Sequence, residues 1–258
     1  MSAGYLQLAA AVFRKELLLL VRYPMNFAGR IIVFLMMFGI IFYGGRAVGG
    51  AAFSDSVAGI LVGYFLWMMA STMYSDLAMS VRAEAEWGTL ERHFITPFGF
   101  RTVLFVKAVA RLIITFLLGT SLLFVMMALS GEWLSLDFLT IVPVLVFTLA
   151  SITGFGFAMG GLTVLYKQIG SWVGLLQFAF VGLIAAPSLG YGWTALLPLA
   201  HGSALLQQAM TEGVRLWEFS ALDLGLLVVT GVGYLLVGAV VFGMAQTRAR
   251  KLGVLGHY

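Results

Sequence analysis

About six stretches of this chain are each long and apolar enough to cross a bilayer, and that repetition leaves little choice of fold. They run over residues 27–45, 57–81, 103–129, 138–166, 169–188 and 224–246. Lipid offers no partner to an N–H or C=O, so each run must satisfy its own backbone and is expected to be an α-helix. Composition agrees, with 61% hydrophobic residues and only 10% charged. A soluble domain carries about 25% charged residues. A chain this greasy cannot cover a water-facing surface.

The basic residues orient the spans, because Lys and Arg concentrate on cytoplasmic loops. With the N-terminus inside, Arg14, Lys15, Arg22, Arg30, Arg82, Arg92, Arg101, Lys107, Arg111, Lys167, Arg248, Arg250 and Lys251 all fall on the inner side. Of the 15 Lys and Arg residues only Arg46 and Arg215 fall outside. Both termini are therefore expected in the cytoplasm. Residues 1–25 read as an amphipathic helix lying in the inner interface. Gln7, Arg14, Lys15 and Arg22 share one side, and Leu6, Phe13, Leu17 and Leu20 share the other. Pro24 breaks that helix before the chain enters the bilayer. Residues 26–258 then form one transmembrane domain.

Little in the sequence suggests chemistry. Cysteine is absent, which removes disulfides and thiolate sites. His93, His201 and His257 lie in separate segments without a metal-ligand spacing, so no metal site and no catalytic residue is expected. His201 and Ser203 stand two apart on a helical pattern and point to different sides, unlike a nucleophile and its base. Asp76 and Arg111 are ionisable groups inside spans, close enough to the inner face to snorkel or to pair. Gly156, Gly160, Gly233, Gly238 and Gly243 fit close helix packing. No phosphate-binding GxxxxGK[ST] occurs, so this chain binds no ATP of its own in such a loop.

The one long charged interruption is residues 82–101. As a helix from Val81 to Phe94 it sets Trp87, Leu90 and Phe94 on one stripe, with Glu84 and Glu91 beside it. Gly88 leaves bare backbone where a partner can approach, and Pro97 stops the helix. An apolar ridge flanked by carboxylates suits insertion into a partner's groove.

That segment resembles the signature of ABC-2-type permeases, the membrane subunits of ATP-binding-cassette exporters. The matching residues are Glu84 and Glu86, then Gly88, Thr89, Leu90 and Glu91, then Thr96 and Pro97, then Lys107. The stretch LLPLAHGSALLQQAM is similar to the family's region after the fifth span, and the ending RARKLGVLGHY is similar to tails in its drug-efflux branch. The pair His93-Phe94 departs from the aliphatic pair of the pattern, which bears on groove fit.

The resemblance implies an all-α polytopic membrane fold. It has six transmembrane helices, an N-terminal interfacial helix, a cytoplasmic coupling helix in loop 82–101 and an extracellular re-entrant segment over 189–223. It implies a cell-membrane exporter subunit that is not itself an enzyme. Its partners would be a second permease copy, most simply an identical one, the lipid bilayer and separate ATPase subunits that bind ATP and Mg; no nucleic acid is involved. Glu84, Glu86, Trp87, Gly88, Thr89, Leu90, Glu91, Thr96 and Pro97 would couple to the ATPase. The substrate path would run between the two copies, with Ser71, Thr72, Ser75 and Gln177 as polar positions. Phe34, Phe38, Tyr64, Trp67 and Phe178 would be its aromatic lining, which favours an amphipathic or lipid-like cargo. The alternatives are export of a lipid-linked saccharide, a secondary transporter outside this family, and a membrane assembly factor.

Overall fold

The computed structural model describes residues 2–54, 56–86, 100–166 and 170–251. The described elements are helical, in the order α1 (Ser2–Arg22), α2 (Pro24–Ser54), α3 (Val57–Glu86), α4 (Phe100–Ser130), α5 (Phe138–Leu165), α6 (Gly170–Ala185), α7 (Ala200–Gln207) and α8 (Ala221–Lys251). Among them, 6 helical segments of 20 to 29 residues are long and apolar enough to cross a membrane: Pro24–Gly49, Val57–Val81, Thr102–Ser130, Phe138–Leu165, Gly170–Leu189 and Ala221–Ala249. Their limits follow the apolar runs read from the sequence to within a few residues. The chain is a multi-pass membrane protein by this measure.

Local chemistry sets several of these limits. Pro24 opens α2, where its missing N–H costs nothing and its fixed φ suits the first helical turn. Gly131 follows α4 at φ +77°, a left-handed position that stops the helix while its N–H still donates to the Met127 carbonyl. Asp137 caps α5 by accepting from the Leu139 N–H at 3.2 Å and the Thr140 hydroxyl at 2.7 Å.

The bundle is built around α3, whose span window is 72% buried, with α5 next at 56%. Tyr74, Phe65, Leu66 and Met69 on α3 are almost fully enclosed. In contrast α2 is only 11% buried and α8 only 17%, so both are peripheral. Glycines let α5 and α8 meet at backbone distance. A Cβ on Gly238 would lie 2.0 Å from the Gly154 carbonyl oxygen, and one on Gly231 would lie 2.4 Å from that of Phe147. Gly156 and Gly160 instead face Leu77 and Val81 of α3. The expectation that Gly233 belongs to the same packing stripe does not hold, since open space surrounds it.

Between α6 and α8 the chain is irregular, exposed along its first turns and enclosed at α7 and the π turn that follows it. It passes through 3-10 turns at Ala186–Leu189 and Gly192–Leu196, then α7 and a π turn at Gln208–Glu212. Ala200, Gly202, Ser203, Leu205, Leu206, Ala209 and Met210 are buried. Such backbone is tolerated within a membrane protein only where protein surrounds it. The Ser203 hydroxyl donates to the Ile184 and Ala200 carbonyls, both at 2.8 Å. The Ser135 N–H reaches the Met210 carbonyl at 2.8 Å, and the Leu216 N–H reaches the Thr140 hydroxyl at 2.8 Å. These bonds tie the segment to the start of α5.

Candidate functional site

Two acids and two arginines converge from α1, α2, α3 and α4. The Arg30 guanidinium forks onto Asp76, with Nη2 donating to Oδ1 at 3.1 Å and Nη1 to Oδ2 at 3.2 Å. Arg111 donates to the same Asp76 Oδ2 at 2.7 Å and, through its other Nη, to Glu16 Oε2 at 2.7 Å. The formal charges cancel, which is the condition under which ionisable groups persist inside apolar spans. Asp76 lies seven residues from the middle of its span, about 10 Å along the helix axis. Half of the hydrocarbon core is about 15 Å, so with its span centred in the bilayer Asp76 would lie inside it.

The four members are not equally enclosed. Side-chain exposure is 2% for Glu16, 12% for Asp76, 24% for Arg111 and 45% for Arg30. Arg111 Nε is also buried without a hydrogen-bond partner among the described residues. Charge pairing therefore ties the N-terminal helix to the bundle at one point, where the apolar stripe of α1 is interrupted by Glu16.

A cavity of about 260 Å³ opens beside the quartet. All four charged residues line it, together with apolar side chains of α1 to α4 such as Leu20, Phe27, Ile31, Met68, Leu118 and Leu122. Thr72 and Thr115 add hydroxyls to the wall.

The residues expected along a substrate path divide differently. Phe34 and Thr72 line this cavity. Phe38, Tyr64 and Trp67 are buried in an aromatic cluster where α2 meets α3, with ring centroids 5.6 Å apart for Phe38–Tyr64 and 5.5 Å for Tyr64–Trp67. The Tyr64 hydroxyl donates to the Phe34 carbonyl at 2.6 Å, and Trp67 Nε1 donates to the Gln177 carbonyl at 2.9 Å. Ser71 is buried with no partner for its hydroxyl among the described residues, while the Ser75 hydroxyl donates back to the Ser71 carbonyl. Phe178 is 67% exposed on α6. Glu84 and Glu86 fall in the last turn of α3. Trp87, Gly88, Thr89, Leu90, Glu91, Thr96 and Pro97 lie outside the described residues. Lys107 is buried on α4.

His201 and Ser203 do not face one another as base and nucleophile. His201 Nε2 meets the Asp223 carbonyl at 2.9 Å, while Ser203 donates to two carbonyls.

Sequence reasoning picked out Asp76 and Arg111 as ionisable groups within spans, each able to snorkel or to pair, but did not match them to each other, missed Glu16 and treated Arg30 only as a cytoplasmic charge. Arg30 in fact lies within the first apolar helix, neutralised by Asp76. The signal for Glu16 was available: an acid set between Phe13 and Leu20 on the apolar side of an otherwise basic helix.

No protein-family model and no curated protein matches this chain.

Proposed function

We propose that this chain is the membrane subunit of an ATP-binding-cassette exporter of the ABC-2 type. It would work as a pair of copies in the cell membrane, both termini cytoplasmic, and move an amphipathic or lipid-like substrate. Separate ATPase subunits would bind ATP and Mg. The observation that carries this reading is the pattern from Glu84 through Lys107, set between the second and third apolar helices. A loop joining two spans and carrying an acid-flanked apolar ridge suits docking into a partner's cleft. The missing phosphate loop means that an ATP-driven cycle needs a second polypeptide.

The quartet supports a route for the motion. Residues 87–99 join the ends of α3 and α4, and Asp76 and Arg111 lie about 15 Å further along those helices. A push on the loop would reach Asp76 and Arg111 first, and through them Arg30 on α2 and Glu16 on α1. Packed elements move as rigid bodies between discrete arrangements, so a shift of this kind can be passed on.

The test is reconstitution in vesicles with the ATPase that copurifies with the chain. Glu84→Lys with Glu91→Lys is expected to leave basal ATP hydrolysis intact while abolishing transport and its stimulation of hydrolysis. Unchanged transport in that variant would sink the proposal. The quartet also favours a second reading, an ion-gradient carrier, because charged groups inside spans often serve coupling. Transport by vesicles that lack any ATPase would support the carrier instead.

A further inference from the structure

The cavity beside the quartet has the polarity of a site for the headgroup and upper chain of one membrane lipid. Its wall on α4 runs from Arg111 to Leu122, about 16 Å at 1.5 Å per residue. That length is about half of the ~30 Å hydrocarbon core, and the wall crosses the middle of its span. One end is charged and the other apolar, as in a phospholipid. The volume of about 260 Å³ is small for a whole ligand, since such pockets run from ~300 Å³ upward. It suits a headgroup and the first part of one chain, with the remainder in the bilayer. Access is consistent with this, because α2 forms one wall and is only 11% buried. At the edge of α1, Leu18, Val21 and Tyr23 are 56%, 78% and 57% exposed, apolar surface that lipid would cover.

The charges select the headgroup. Arg30 keeps 45% of its side chain exposed although it forks onto Asp76, so its free edge can still donate to a phosphate oxygen. An anionic lipid would add an uncompensated negative charge to a quartet whose own charges already cancel, beside two carboxylates. A headgroup that carries its own ammonium avoids that, since the ammonium can lie against Asp76, the more exposed of the two carboxylates lining the cavity. We propose that the α1–α4 cavity binds a zwitterionic phospholipid of the phosphoethanolamine kind, with phosphate on Arg30, ammonium towards Asp76 and an acyl chain along Phe27, Ile31 and Leu118. This site belongs to a single copy of the chain and does not depend on the exporter reading.

The experiment uses the purified full-length chain, equilibrated in mixed micelles with equal amounts of phosphoethanolamine and phosphoglycerol lipids of identical acyl chains. Lipid retained through delipidation is then counted by native mass spectrometry. Preferential retention of the phosphoethanolamine lipid by about tenfold is expected, the ratio that about 1.4 kcal/mol gives. Arg30→Gln should remove the preference while the Arg111 pairs stay in place. Thr72→Phe should empty the cavity of lipid without altering any charge. If Thr72→Phe does not yield a monodisperse protein, Leu118→Trp fills the same space from α4. Equal retention of the two lipids, a preference for phosphoglycerol, or wild-type retention by the filled variant would each overturn the proposal. None of these readouts involves an ATPase or transport, so they stand apart from the test of the exporter reading.

Discussion

Arg111 donates at 2.7 Å to both Glu16 and Asp76, and the Glu16 side chain is only 2% exposed. Taking the guanidinium away would strand one enclosed carboxylate completely and leave the other with Arg30 alone. Breaking a buried pair from one side typically costs about 3–5 kcal/mol, because the remaining charge keeps its desolvation penalty. Arg30 is 45% exposed, and its loss would leave Asp76 still paired with Arg111 and Glu16 untouched. Arg111→Gln is therefore expected to lower the thermal unfolding midpoint in detergent far more than Arg30→Gln. Equal losses would mean that the quartet is not organised around Arg111. Glu16→Gln combined with Arg111→Gln should recover part of the single-variant loss, a coupling of about 0.5–3 kcal/mol in a double-mutant cycle. Asp76 and Arg111 stand out in the sequence as charges among apolar neighbours, but not as partners of one another. Glu16 could not be matched to its partner, because nothing local says which face of α4 an interfacial helix will meet.

Between elements, α5 and α8 show how closely two spans approach when neither carries a Cβ at the crossing. Gly238 faces the backbone of Gly154, so a methyl group there would meet a carbonyl oxygen at 2.0 Å with no flexible side chain to yield. Gly233, on the same helix, has nothing within 4 Å of the added atom. Gly238→Ala is expected to destabilise by about 1–3 kcal/mol as an overpacked contact. Gly233→Ala should be neutral or stabilising by up to about 1 kcal/mol, the helix propensity gained. Steric trapping or denaturant unfolding in mixed micelles measures both, and similar losses at both positions would contradict the packing. The apolar runs made the span limits legible, but Gly233 and Gly238 look alike in sequence. Only the crossing of the two helices separates them. Leu199 was equally illegible: it precedes α7 at φ +67°, a left-handed conformation costly for a side chain of this kind, yet its side chain is 2% exposed. Burial among α7 and its neighbours holds it there, and no local residue preference announces that.

For the whole molecule, six successive spans are expected to alternate in direction, which would put both tails and the link between α3 and α4 on one side of the membrane. Residues 131–137 and the turns after α6 would then fall on the other side. The quartet fits this grouping, because Asp76 lies nearer the end of α3, Arg111 lies nearer the start of α4, and Glu16 of α1 pairs with Arg111 there. The basic residues, concentrated on the segments that hold the loop and the tails, predict that this side faces the cytoplasm. The chain has no cysteine, so single cysteines report on topology without background. Cysteines replacing Arg92 and His257 should react with a membrane-impermeant maleimide only in inside-out vesicles. Cysteines replacing Trp133 and Trp217, which are 69% and 62% exposed, should react only in right-side-out vesicles or intact cells. Labelling of residues 92 and 133 from the same side would contradict the alternation itself. Labelling of all four sites in the reverse pattern would preserve the bundle and invert the orientation. In that case the loop would face away from any cytoplasmic ATPase, and the exporter proposal would fail with it.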